Sequence, residues 1–287
     1  MEYKRYADNF LGWRHEVASM DTIHTLHISD IHFDSMHCDV ELLKKHLDII
    51  KRKDGHIYIY GDVFDVMGCY GDPRSKFQDV NPKYFDRGEY LNLVVEDAVN
   101  FFTPYVKNIR MISEGNHESE IRRRRDVDIL SWLVRSLNDQ GGNIAKGFYS
   151  GWNEFVFAQK GRSSSILTHY HHGKGGNAKR SKGILNAQLD TMENPDCDFV
   201  FRGHTHQKFH DPSNVKYRVN LTKKVVKKKT THYIQTGSYK DGTGMGKSGW
   251  EVQKGFMPSR LGGWFVDFNV VISNGYMNVE PQVYEAF

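Results

Sequence analysis

Apolar and polar positions alternate along this chain in short blocks, and one arrangement recurs five times: a β-rich apolar run stops at a patch of Asp, His, Asn and Gly. The runs are Thr25-Leu26-His27-Ile28, Ile57-Tyr58-Ile59-Tyr60, Ile109-Arg110-Met111-Ile112, Ile166-Leu167-Thr168 and Phe199-Val200-Phe201. The patches are Asp30-Ile31-His32, Gly61-Asp62-Val63-Phe64-Asp65, Gly115-Asn116-His117-Glu118, His171-His172-Gly173 and Gly203-His204-Thr205-His206. A short apolar run closed by polar residues and Gly predicts a buried strand. The patches therefore fall at strand ends, where open α/β sheets place their sites.

Between these strands the period lengthens. Val40, Leu43, Leu47 and Ile50 share one helical face behind Asp39 as N-cap, which predicts a helix to about Lys53 linking the first two patches as a crossover. Further helices are predicted over Glu89 to Tyr105, Glu118 to Leu137 and Asn177 to Thr191. The segment from Met67 to Arg87 is rich in Gly, Pro, Asp and Lys and reads as a long loop beside the cleft. Residues 1 to 20 show no clear period, and Phe10, Leu11 and Trp13 are expected to tack this arm onto the core. Beyond His206, strands are predicted at Lys216 to Leu221, Thr231 to Thr236, Trp264 to Phe268 and Tyr276 to Glu280, all assigned to a second sheet. Gly237 to Gly255 reads as a flap that carries Tyr239 and Trp250 over the substrate to stack on a base, unless the two pack beneath it.

Length and alternation of strands with helices fit one α/β domain over residues 1 to 287. No run of 18 apolar residues occurs and the stretch Met1 to Asn9 is polar, so neither a membrane span nor a secretory signal is expected, and the location predicted is cytoplasmic. Cys38, Cys69 and Cys197 are odd in number and lack CxxC spacing, which argues for a reducing compartment and against a thiolate metal site. A net charge of +4 leans towards anionic partners.

The patches carry metal-site chemistry. Asp30 and His32 stand two apart, close enough to hold one ion together, whereas the same spacing in His204 and His206 lets two imidazoles diverge to neighbouring ions. Carboxylate oxygen, imidazole nitrogen and one amide oxygen, that of Asn116, suit Mn, Fe, Zn or Ni. Two such ions roughly 3.5 to 4 Å apart clamp a phosphoryl group and activate water. In the fourth patch His169, His171 and His172 are all candidates, and the period of two puts His172 on the side of Ile166 and Thr168 and His171 on the other. An isolated His at a strand end is most often a surface residue, but five coincident patches resist that reading.

Basic segments lie beside the patches. Arg122 to Arg125 follow the third patch on the helix it opens, and Arg122 is the candidate phosphate contact; a solvated ladder of i,i+4 pairs such as Glu118 with Arg122 and Glu120 with Arg124 is the alternative. Lys174, Lys179, Arg180 and Lys182 sit on a Gly-rich loop after the fourth patch that suits a phosphodiester backbone. The run Lys223 to Lys229 reads as a solvated hairpin tip. Gly242 to Ser248 imitates a phosphate-binding loop, but Asp241 stands where its first Gly is required.

As an ordered set, the five patches resemble the calcineurin-like metallophosphoesterase superfamily, whose pattern is DxH, GDxxD, GNH(D/E), H and GHxH. The resemblance covers about Thr22 to His206. It implies a four-layer αββα sandwich of two mixed sheets flanked by helices. It implies Asp30, His32 and His206 on a first metal, Asn116, His172 and His204 on a second, and Asp62 bridging two divalent ions, Mn foremost. The family's ligand directly before Gly selects His172. His117 would be the general acid, its ring oriented by a hydrogen bond to Asp65, with water as nucleophile. Val66 and Glu114 stand where the protein Ser/Thr phosphatases carry Arg, so the chain looks more like the DNA-repair exonuclease and stand-alone phage or bacterial branches. The expected substrate is DNA or RNA, for a nuclease or end-processing phosphatase. The alternatives are an enzyme of small or cyclic nucleotides and a non-catalytic scaffold, the latter opposed by intact Asp62, Asn116, His117 and His204.

Overall fold

The computed structural model describes residues 3–66, 79–85, 88–175, 184–220, 224–243, 252, 258–273 and 275–286. The chain opens with strands β1 (Tyr3–Ala7), β2 (Phe10–Glu16) and β3 (Thr22–Ile28), then helix α1 (Val40–Arg52), β4 (His56–Tyr60), α2 (Tyr90–Phe102) and β5 (Ile109–Ser113). Helices α3 (Asn116–Arg125) and α4 (Ile129–Asp139) lead to β6 (Ala145–Lys146), β7 (Ser150–Gln159) and β8 (Arg162–His171). There follow α5 (Ile184–Glu193), β9 (Phe199–Arg202), β10 (Lys208–Asn220), β11 (Val225–Thr236), β12 (Trp264–Ser273) and β13 (Tyr276–Glu285).

These form two mixed sheets, one ordered β1-β2-β7-β8-β9-β11-β10 and the other β13-β12-β3-β4-β5-β6. β3, β4, β5 and β6 run parallel, as do β8, β9 and β11, so the first three patches share one end of their sheet and the last two share one end of theirs. β4 shows why the sheets stack. Its residues are buried on both faces, with Ile57 and Ile59 packing among the helices and Tyr58 and Tyr60 in the layer between the sheets. That inner layer is aromatic: Trp13 and Phe155 meet Tyr58, Tyr170 and Phe201 meet Tyr60, and Phe157, Phe199 and Phe268 belong to the same cluster. Each such side chain contributes about 1.5–3 kcal/mol on burial. On the outer face of the other sheet, Ala187 of α5 packs on Cys197, Val200 and Tyr233. The layers are therefore helices, sheet, sheet and helix, as expected.

α1 forms as the sequence requires: the Asp39 side chain accepts from the Leu42 N–H at 2.9 Å, and Leu43, Leu47 and Ile50 are buried. Other expectations need correction. The helix expected over 118–137 is two helices, because Asp126 turns into the left-handed region at φ 56° and Asp128 caps a new start by accepting from the Ser131 N–H at 2.9 Å. The N-terminal arm is a β-hairpin whose β2 pairs in parallel with β7. Its alternation was hidden because the inward positions after Leu11 and Trp13 end in a buried His15. The late strands do not share a sheet: β10 and β11 join β9, whereas β12 and β13 extend the sheet of β3. The helix expected from Asn177 is described from Ile184, and residues 177–183 lie outside the described residues. Most of the long loop and of the flap likewise lies outside them. No described helix is long and apolar enough to cross a membrane.

The inner layer also contains neutral histidines. His15 is 2% exposed, and neither ring nitrogen has a hydrogen-bond partner among the described residues. Burial and then Arg110 push its pKa down to about 4, while burial pushes His27 to about 3. Such rings stay neutral in the fold but take a proton in the unfolded chain below about pH 6.5. Their stabilising contribution is therefore complete above pH 6.5 and falls as the pH drops towards 4. Urea unfolding should show lower stability at pH 5 than at pH 7, and His15→Phe should retain roughly 2 kcal/mol more of its pH 7 stability at pH 5 than the wild type. An equal loss in both proteins would show that His15 is not a source of the acid sensitivity.

Candidate metal centre

The strand ends are held in backbone that L-residues rarely adopt. Asp30, His32, Asp62, His204 and His206 have φ of 50°, 50°, 50°, 71° and 56°. Each such residue costs roughly 1–3 kcal/mol and persists only when its surroundings over-determine it. Here they do. Asp30 N–H donates to Gly61 O at 3.0 Å, Ile31 N–H to Asp62 O at 2.8 Å and Phe33 N–H to Val63 O at 2.8 Å, so the first two patches are zipped together. The glycines permit close approach: a Cβ on Gly115 would lie 2.1 Å from Asp62 Oδ1, and one on Gly203 would lie 2.6 Å from Asp30 Oδ2.

Asp30, His32 and His206 form one cluster. His32 Nε2 and His206 Nε2 approach to 3.0 Å, and His206 Nε2 stands 3.5 Å from Asp30 Oδ1. His32 Nδ1 lies 2.7 Å from Asp65 Oδ1 in an ion-pair contact off the line of a hydrogen bond, and Nε2 faces the cluster. Both oxygens of Asp30 accept from the His204 N–H, at 3.0 and 2.9 Å.

Asp62, His172 and His204 form a second cluster. His172 Nδ1 donates to Tyr60 O at 2.8 Å, which turns Nε2 inward to 3.1 Å from Asp62 Oδ2 and 3.0 Å from Asn116 Oδ1. His204 Nδ1 comes within 2.7 Å of the same Asn116 oxygen. His172 is fully buried in this cluster, whereas the His171 ring accepts from the Gly173 N–H at 2.8 Å and is held near pKa 4 by burial and Arg202.

His117 stands beside both clusters. Its Nδ1 donates to the backbone carbonyl of Asp65 at 2.5 Å, and its Nε2 lies 3.8 Å from Asp62 Oδ2. The hydrogen bond expected between His117 and Asp65 is present, and the main chain accepts it. Asp65 orients His117 through its main chain, while its carboxylate, 3.8 Å from His117 Nδ1, serves His32 and Lys240.

Three further groups build the site: Asp34 and Lys240, for which no role was expected, and Glu118, expected as a partner of Arg122. Glu118, buried, accepts from the N–H groups of Asp62, Phe64 and Gly115 at 3.1, 3.1 and 2.9 Å. Asp34 accepts from the N–H groups of Asp65 and Val66 at 2.6 and 2.9 Å and from the Tyr90 hydroxyl. Its signal was present, since Asp34 continues the two-residue spacing of Asp30 and His32. Lys240 reaches both Asp65 oxygens at 3.1 and 3.2 Å from beyond β11, and no local pattern announces it. Of the proposed substrate contacts, Arg122 binds Glu114 at 3.0 Å and stays half exposed, and Lys174 is exposed on the loop after His172. Arg123 and Arg124 pair with Glu120, so only part of the expected ladder forms. Tyr239 does not cover the site: it is fully buried, with its hydroxyl 2.8 Å from His46 Nδ1. Trp250 lies outside the described residues.

The donor set fits divalent transition metals. Each cluster combines carboxylate oxygen with imidazole nitrogens whose lone pairs converge, and Asn116 adds an amide oxygen. Electrostatics agree. Burial raises Asp30, while for Asp62 burial is outweighed by His172 and His117, which hold its carboxyl well below the usual range. His172 is raised to about 10: burial lowers it, but Asp62 and Asp30 prevail. A site that stabilises positive charge on an imidazole stabilises a cation in its place.

A family model described as calcineurin-like phosphoesterase matches residues 23–208. No curated protein matches this chain by sequence. Among solved structures, Vacuolar Protein Sorting 29 from Cryptosporidium parvum is 14% identical with a TM-score of 0.35, covering 92% of this chain and 98% of that one. A conserved uncharacterized protein of Streptococcus pneumoniae, a predicted phosphoesterase, is 12% identical with a TM-score of 0.33, covering 92% of this chain and 100% of that one.

Glu118 offers a direct check on the network. In Glu118→Gln one amide oxygen must replace two carboxylate oxygens, and the amide N–H faces donors. A loss of roughly 1–3 kcal/mol in urea unfolding is expected. Unchanged stability would mean that these three hydrogen bonds carry no weight.

Proposed function

The chain belongs to the calcineurin-like phosphoesterase family, and from that premise we propose that it is a dinuclear phosphoester hydrolase acting on nucleic acid. The observation that carries the dinuclear reading is the pair of separate ligand clusters Asp30, His32, His206 and Asp62, His172, His204; a third grouping, His32, Asp65 and His117, shares His32 with the first and contains the proposed acid. Asp62 would hold metal at the junction of the two clusters, and Asn116 would complete the second set. When bound, the two ions, Mn foremost, polarise a phosphoryl oxygen and lower the pKa of a water nucleophile.

The chain's own residues do the rest. With Nδ1–H given to Asp65 O, His117 donates to the leaving oxygen from Nε2 as the imidazolium, a form that burial disfavours and the neighbouring charges of Asp62 and Asp65 favour. The same bond fixes the ring's direction, so donation costs little reorientation. Lys174 on the exposed loop after His172 supplies positive charge at the rim for a substrate phosphate. Arg122 has the same proposed role and keeps N–H groups in solvent beyond its pair with Glu114. Net charge of +4 supports a polyanionic substrate.

Hydrolysis of aryl phosphate mono- and diesters with added Mn tests the chemistry. His117→Ala should lower kcat about 10²–10⁴-fold while metal uptake persists. Asp62→Ala should lose both metal and activity. Activity unaffected by either change would refute the mechanism, and no activity with any metal would leave the scaffold reading. Polynucleotide affinity should fall steeply with salt as phosphates are neutralised. Affinity indifferent to salt, with turnover of nucleotides alone, would assign the site to small substrates.

A further inference from the structure

Lys240 lies beyond residues 23–208, where the family model ends, on the segment that leaves β11. That segment is fastened to the loop carrying the first patch. Tyr239 N–H donates to Asp30 O at 3.0 Å, Asp39 N–H to Tyr239 O at 2.8 Å and Asp241 N–H to His37 O at 2.9 Å, and Lys240 itself bridges to Cys38. The Lys240 side chain is 8% exposed, and its Nζ meets both oxygens of Asp65, which is wholly buried. One of those oxygens lies 2.7 Å from His32 Nδ1.

We propose that Lys240 is a positioning residue for the first metal cluster, holding the Asp65 carboxylate against His32 so that His32 keeps Nε2 turned to the ion. The inference rests on the dinuclear reading above. A buried carboxylate without a cationic partner is costly and seeks another arrangement. Asp65 has an alternative within reach, since His117 Nδ1 is 3.8 Å from the same oxygen. Lys240 removes that freedom by occupying both oxygens at once. A direct role towards substrate phosphate fits less well, because Nζ is turned to the carboxylate and nearly closed to solvent. The two clusters should therefore respond unequally: His32 belongs to the first, whereas His172 of the second is oriented by Tyr60 O.

The test is titration of the metal-free full chain with MnCl₂, read by calorimetry and by electron paramagnetic resonance, for the wild type, Lys240→Met, Lys240→Arg and Asp65→Asn. Outer partners of ligating histidines are worth about 10–100-fold in metal affinity. Lys240→Met should weaken one of two binding events by that factor, leave the other unchanged and replace the spin-coupled signal of a pair by that of a single ion. Asp65→Asn should do the same, and Lys240→Arg should restore the pair. Melting of the metal-free proteins reports folding separately. Two unchanged affinities in Lys240→Met would overturn the proposal. So would equal weakening of both events with a lowered melting temperature that Arg does not rescue, since that is a purely structural role. A wild type that takes up no Mn would instead overturn the dinuclear reading beneath it.

Discussion

Asp30, Asp34, Asp62, Asp65 and Glu118 are buried together beyond the ends of β3, β4 and β5, neighbouring strands of one sheet. Desolvated carboxylates survive only where N–H groups or cations replace their water. The replacements here come from patches distant in sequence. Asp30 is satisfied by the backbone of His204, Asp62 by the backbone of His117, Glu118 by Asp62, Phe64 and Gly115, and Asp34 by Asp65 and Val66. The patches thus solve one another's burial. None can take up its position alone, and the site forms as one unit with the junction of the sheets.

This mutual satisfaction explains the strained backbone. Left-handed φ at Asp30, His32, Asp62, His204 and His206 turns the chain back at the strand ends and exposes N–H groups to the neighbouring patch. The stabilisation comes from elsewhere, from the aromatic layer between the sheets and from the aliphatic layer under α1, α2 and α4. Glycine is needed where one patch crosses a carboxylate of another, as Gly115 crosses Asp62 and Gly203 crosses Asp30.

Orientation of the imidazoles follows the same logic one step further out. His32, His172 and His117 each have Nδ1 engaged, by the Asp65 carboxylate, Tyr60 O and Asp65 O respectively. Their Nε2 atoms are left to the centre, which is the arrangement that ligation and proton transfer both require. Asp65 serves two of the three, through different atoms, and its carboxylate is in turn held by Lys240.

Strand ends, the helix behind Asp39 and the five patches were legible in the sequence because each is a local signal: an apolar run, a cap, a Gly beside Asp or His. Alternation put His171 and His172 on opposite sides of the strand, and the family resemblance preferred His172, the one the structure buries fully. Sheet membership was not legible. β12 pairs with β3 across more than two hundred residues, and no local pattern encodes that partner. Nor was the β1–β2 hairpin, whose inward face includes a His, or the break at Asp126, where a left-handed Asp ends a run of helical residues. The sequence by itself determined which donor atoms exist and that they stand at strand ends. Only the tertiary structure decided which nitrogen of each ring faces inward, that Asp65 serves His117 through its carbonyl, and that Lys240 is its counter-ion, because those depend on partners brought together by the stacking of two sheets.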